Sequence, residues 1–197
     1  VYERYLPYID NNFDFAEMLC EMLGELNASH TGCRYYPSGA SLQTAALGVF
    51  LDPNYEGDGL KIQEIIKRGP FAVKKNEVTP GSIIEKIDGT DIKAGEDYNA
   101  LLDGKAGKNV RLTIKNAKGK RFDLTIKAIS QGAQQELLYK RWVDRNRAIV
   151  DSVSGGRIAY VHVKAMNSES FRTVYSELLS DKNRNRDAVI VDERHNG

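Results

Sequence analysis

Between Leu47 and Ile129 the chain abandons helical periodicity for short β-prone runs cut by turn residues, and this switch constrains the fold most. The runs are 47–52, 59–66, 82–87, 109–115 and 122–129. Tyr55-Glu56-Gly57-Asp58, Pro80-Gly81, Asp88-Gly89 and Lys118-Gly119 separate them. Such spacing predicts a small β-rich module over 44–130, with 96–104 as its short helix. The flanks differ. Phe15, Met18, Leu19, Met22, Leu23 and Leu26 recur at helical spacing over 12–26, with Asp10 or Asn12 as the expected cap.

After Ile129 a long helix is predicted to run to about residue 152, with Leu137, Leu138, Arg141, Trp142, Arg145, Ile149 and Val153 along one side. Ser154-Gly155-Gly156 ends it. A strand (157–163), a helix (168–180) and a second strand (188–193) follow, the pattern of a parallel crossover. The expected class is α+β in three parts: a helical part over 1–43, the β module over 44–130, and a long helix with the start of an α/β subdomain over 131–197.

Composition narrows the function classes. Twenty-eight Lys+Arg against 27 Asp+Glu leave a net charge of +1, so the basic footprint of a nucleic-acid binder is missing. The basic stretch 115–121 lies between β runs and reads as a solvated hairpin. No apolar run is long enough for a membrane span. Cys20 and Cys33 make neither a disulfide framework nor a zinc spacing, and His30, His162 and His195 lie far apart, so no metal is expected. Tyr160 and His162 alternate along their strand and are expected to pack at a sheet face rather than react. Starting at Val1 and stopping at Gly197, the chain reads as a piece of a longer protein.

The β module carries the most specific motifs. Ala46-Leu47-Gly48-Val49 is an x-Φ-G-Φ loop opening a strand; Arg68-Gly69-Pro70-Phe71-Ala72, Pro80-Gly81-Ser82-Ile83-Ile84-Glu85-Lys86-Ile87-Asp88-Gly89 and Leu102-Asp103-Gly104 follow in order. This series resembles a PDZ domain of the bacterial-protease type, with Ser82 standing where that family usually has Asp. The resemblance implies a β-sandwich or barrel in which a peptide adds to a strand edge. Its terminal carboxylate would meet the N–H groups of Leu47, Gly48 and Val49. It equally allows the module to be a spacer inside a larger enzyme.

Around that module, a helix ending in Leu26-Asn27-Ala28-Ser29-His30-Thr31-Gly32, a long Trp-bearing helix, Gly156-Arg157-Ile158-Ala159-Tyr160-Val161-His162-Val163 and Asp187-Ala188-Val189-Ile190-Val191-Asp192-Glu193-Arg194-His195-Asn196-Gly197 succeed one another. The order resembles the core of the tricorn-type serine peptidases, relatives of the C-terminal processing proteases. The resemblance implies His30 as general base and Ser29 as the adjacent serine that helps a distal glutamate orient the imidazole. Asp192-x-Arg194-x-Asn196-Gly197 matches a turn whose backbone helps form the oxyanion hole, with Gly197 its first glycine. His195 and Lys164 stand where other residue types are usual.

The nucleophilic serine and the glutamate would lie beyond Gly197. Ser152 and Ser154 lack the elbow context of a nucleophile. The implied partner is a peptide or unfolded polypeptide, with no cofactor, no nucleic acid and no membrane span. A homo-oligomer of the full-length protein is left open, as is a cytoplasmic or periplasmic location. The rival reading is a noncatalytic peptide-binding or scaffolding PDZ protein descended from such peptidases.

Overall fold

A computed structural model describes residues 1–37, 43–72 and 77–196. The chain divides into two compact units, Val1–Ser41 and Leu42–Gly197. The expected β module and the segment after it thus share one unit.

In the first unit a 3-10 turn (Tyr2–Tyr8) precedes α1 (Asn12–Gly24). The cap is Asn11, neither Asp10 nor Asn12: its side chain accepts the N–H groups of Phe13 and Asp14 at 2.8 and 3.0 Å. Three adjacent capping residues made the choice ambiguous in the sequence, and Asn11 wins because it alone is extended while the next residue enters the helix.

The second unit opens with an antiparallel sheet ordered β1 (Val49–Leu51), β2 (Leu60–Ile65), β3 (Ile83–Ile87), β5 (Asn109–Lys115) and β6 (Arg121–Lys127). The two-residue β4 (Thr90–Asp91) pairs with β3 through the Asp88-Gly89 turn, where φ is +49° and +88°. Positive φ at both central residues is what a tight right-twisted hairpin needs, and Asp-Gly supplies it at least cost. Alternate residues point inward: Ile62, Ile84, Ile87, Val110, Leu112, Ile114 and Ile126 form the core with Leu47, Phe71 and Leu102. Within residues 96–104 the short helix is a 3-10 helix, Tyr98–Leu102.

Ser82 is fully buried, and its hydroxyl accepts the N–H of Thr79 at 3.1 Å. A neutral hydroxyl does the turn-closing work there without burying a charge. The basic stretch is a hairpin, closed by Asn116 N–H to the Lys120 carbonyl at 2.9 Å. The module's two ends meet: Ala46 and Ile129 exchange backbone hydrogen bonds at 2.7 and 3.0 Å.

Capped by Ser130, α2 (Gln131–Val153) follows at once. Its inner side carries Tyr139, Val143, Asn146 and Val150; of the row expected from spacing, Leu137, Leu138 and Trp142 are half-buried, but Ile149 is 51% and Val153 84% exposed. Two apolar periodicities compete on this charge-rich helix, and the one facing β7 (Ile158–His162) prevails. A parallel pair, β7 and β8 (Ala188–Asp192), joined through α3 (Ser168–Leu178), sets His162 opposite Asp192. No helix among the described residues is long and apolar enough to cross a membrane.

Candidate functional site

Ser29 and His30 lie in the first unit, on the exposed loop that leaves α1. Several ties bring the loop back against its helix. The Cys20 thiol lies 2.9 Å from the Cys33 carbonyl and 3.1 Å from its N–H. The Thr31 hydroxyl donates to the Ala28 carbonyl at 3.0 Å, and the Phe13 and Tyr35 rings meet edge to face at 5.1 Å. His30 has φ +63°, a left-handed conformation in which His is among the better-tolerated residues. Among the described residues neither Ser29 nor His30 makes a side-chain hydrogen bond.

The turn after β8 is the most tightly built feature of the second unit. Asp192 is 7% exposed and receives the Tyr160 hydroxyl at 2.6 Å. The Arg194 guanidinium approaches both its oxygens, at 2.9 and 3.1 Å from Nε, and the Arg194 N–H adds a bond of 3.0 Å. This guanidinium, with the Tyr160 hydroxyl, holds the Asp192 carboxyl far below the usual carboxylate range, against the opposing effect of burial. Burial, then the Asp192 carboxylate, pushes the Tyr160 phenol up, so it remains a donor.

Further along the turn, the Asn196 side chain donates to the Val163 carbonyl at 2.9 Å, and the Asn196 N–H to the Glu193 carbonyl at 3.2 Å. Above it, Trp142 stacks under the Arg194 guanidinium at 5.3 Å. The turn sits at the carboxyl ends of the parallel strands, where open α/β folds place their ligand sites. Gly197 lies outside the described residues.

Leu47, Gly48 and Val49 lie where the chain enters β1, the end strand in the sheet order. Gly48 has φ +73°, and a Cβ there would stand 2.4 Å from Cδ of Pro70, so glycine is required on both counts. Its N–H donates to Oε1 of Gln134 on α2 at 3.0 Å. Nearby, Arg141 covers the Phe50 ring at 5.3 Å, and Arg68 pairs with Asp144 at 3.1 Å. An apolar cavity of about 890 Å³ opens beside the loop, lined by Pro70, Ala106, Ile126, Ala128, Ala133 and Leu137.

Residues 55–131 match the tricorn protease PDZ domain family. A tricorn protease homolog of Saccharolobus solfataricus is 28% identical over 99% of this chain, and tricorn protease homolog 1 of Streptomyces coelicolor is 29% identical over 100% of it. The chain is a relative of the tricorn proteases. It spans only 18% and 19% of the length of those two proteins. A tricorn protease crystal structure superposes on all of the chain with a TM-score of 0.79 at 24% identity, and the chain covers 20% of it, which fixes the fold. The chain is accordingly a peptidase-related segment with a tricorn-type PDZ domain.

Within this tricorn-like framework, the candidate residues fall into two groups. The Ser29–His30 loop belongs to one compact unit; the Leu47–Val49 loop and the Asp192–Asn196 turn belong to the other. Tyr160 and His162 do more than pack a sheet face, because both hydrogen-bond to the turn. The parallel register that pairs Tyr160 with Ile190 and His162 with Asp192 brings both side chains to the turn. In the sequence Trp142 stands out only as part of a helical row and of the family order, and Tyr139 and Gln134 on α2 give no sign.

Proposed function

We propose that the chain forms part of a longer serine-type peptidase that cleaves oligopeptides or unfolded polypeptides, with His30 as general base. Its carrying observation is the Asp192–Arg194–Tyr160 network, which spends a buried carboxylate on fixing a backbone turn. In this reading His30 takes the proton from a serine hydroxyl supplied beyond residue 197 as that oxygen attacks the scissile carbonyl. Ser29 helps a glutamate, also outside this chain, to orient the ring. Backbone N–H groups of the turn, Gly197 included, stabilise the oxyanion. His30 then gives the proton to the leaving amine, and water hydrolyses the acyl-enzyme.

On this reading residues 1–43, 44–130 and 131–197 act as helical part, PDZ domain and start of the α/β subdomain, and the 197-residue chain alone hydrolyses nothing. The PDZ domain would receive a peptide carboxylate at Leu47–Val49, with the apolar cavity beside that loop for the terminal side chain. A second reading, a PDZ domain serving as spacer, is favoured by the Gln134–Gly48 bond, since one expected carboxylate donor is already engaged.

A fluorophosphonate probe with the longer protein provides the test. Labelling of a serine beyond residue 197, with turnover abolished by His30→Ala in a folded protein, is the expected result. Retained turnover in His30→Ala removes the base assignment. Absence of labelling and turnover in the wild-type protein favours a noncatalytic scaffold.

A further inference from the structure

The Asp192–Asn196 turn is tied at its ends by Asp192 and Asn196; its middle is held by a group that the proposed reaction does not use. His162, 5% exposed at the end of β7, places Nε2 2.7 Å from the Arg194 carbonyl oxygen. A carbonyl only accepts, so Nε2 carries the proton. The other ring nitrogen, Nδ1, lies 2.8 Å from the Tyr139 hydroxyl, from which it accepts when the ring carries a single proton. Trp142 meets the imidazole edge to face at 4.9 Å and Tyr139 meets it at 5.4 Å. Two residues one helical turn apart on α2 therefore fix both the tautomer and the plane of the ring.

We infer that His162 is a positioning residue for the turn: its Nε2–H holds the Arg194 carbonyl and so sets the direction in which the following N–H groups are presented. The inference rests on the proposed peptidase reading, and its reasoning is stereochemical. No cis peptide occurs among the described residues, so the N–H of His195 points opposite the Arg194 carbonyl, away from the imidazole. That N–H has no hydrogen-bond partner among the described residues. His195 itself has φ +61°, the left-handed conformation that His tolerates better than most residues, as at His30. Without the imidazole, the Arg194 carbonyl loses its partner and the peptide plane is free to rotate.

A buried histidine is commonly just a filled core position. His162 differs in that its two ring nitrogens bridge separate elements, α2 on one side and the turn on the other. The two roles separate by experiment. In the 197-residue chain, ring 15N NMR should show a proton on His162 Nε2; a ring protonated on Nδ1 alone overturns the inference. His162→Phe keeps a ring and removes the donor, whereas His162→Gln restores an N–H in similar reach.

Exchange at the hydrogen-bonded amides of Arg194 and Asn196 should quicken by about tenfold or more in His162→Phe and return toward wild type in His162→Gln. Equal exchange in all three overturns the inference. If His162→Phe fails to fold, Tyr139→Phe reads the same clamp: the ring loses its tether to α2, so exchange at the Arg194 and Asn196 amides should quicken, and unchanged exchange counts against it. In the longer peptidase, kcat should fall by about tenfold or more in His162→Phe with KM little changed, and recover in His162→Gln. Unchanged kcat refutes the positioning role. Inactivity of the wild-type protein instead sinks the peptidase reading, and the tautomer and exchange results on the shorter chain then decide the clamp.

Discussion

Gly48 donates its N–H to the side-chain oxygen of Gln134 at 3.0 Å, joining the loop that opens β1 to the first turns of α2. An amide oxygen thereby occupies a donor that a peptide carboxylate would need. Any ligand for that loop must compete with the protein's own helix.

Replacing Gln134 by Ala should therefore strengthen binding of peptides with a free C-terminus by about fivefold, the worth of one neutral hydrogen bond. Peptides amidated at the C-terminus should show no such gain. Calorimetric titration of both peptide types against wild type and Gln134→Ala provides the check. No binding by either protein would assign the module to a spacer role.

Gly48→Ala should destabilise the second unit by about 2–4 kcal/mol, because left-handed strain and overpacking add. The added methyl would meet Cδ of Pro70 at 2.4 Å and its ring nitrogen at 3.3 Å, and neither is the end of a flexible side chain. Urea unfolding followed by circular dichroism measures the loss. A change below about 0.5 kcal/mol would mean that the loop relaxes freely.

The Asp192 carboxyl is held well below its ordinary range by Arg194 and Tyr160. The unfolded chain binds the proton more readily, so this contribution is complete above the unfolded value of about 3.9 and is lost as pH falls toward the lower folded value. Asp192→Asn should cost about 1–3 kcal/mol at pH 7, leaving Arg194 and Tyr160 without their ionised acceptor. The gap between wild type and variant should narrow below about pH 4. Unfolding curves at pH 7 and pH 3 test it; a constant gap would place the cost in packing.

Cys20→Ala should loosen the loop bearing Ser29 and His30 while leaving α1 intact. The Cys20 sulfur faces both backbone groups of Cys33, and its removal should cost about 0.5–1.5 kcal/mol. Hydrogen exchange at the Cys33 amide should quicken, with α1 amides unchanged. If the whole helix exchanges faster, the thiol is a packing element of α1 instead.

Period-2 runs and turn residues made the sheet legible: Asn109–Lys115 forms a strand as read, and Lys118-Gly119 lies in the hairpin that follows it. The parallel pair and its crossover helix were equally plain, because strand and helix periods alternate there. The inner side of α2 was not. Ile149 and Val153 continue an apolar row by spacing, yet Tyr139, Val143 and Asn146 face the protein, since β7 packs there. Local pattern records which residues are apolar, whereas the partner decides which side is buried. His30, Ser29 and the Asp192–Asn196 motif were readable only through family resemblance. The link from His162 to Arg194 spans 32 positions and depends on strand register, which residue types alone do not encode.

The reciprocal bonds between Ala46 and Ile129 carry a consequence for ancestry and engineering alike. Antiparallel partners of this kind lie about 5.5 Å apart between Cα atoms, a gap that a short turn can close. The intervening residues are thus an excisable cassette: a few-residue splice could replace them without stretching the backbone on either side. The same adjacency would let a different compact domain be grafted between these two positions, provided its own termini lie as close together.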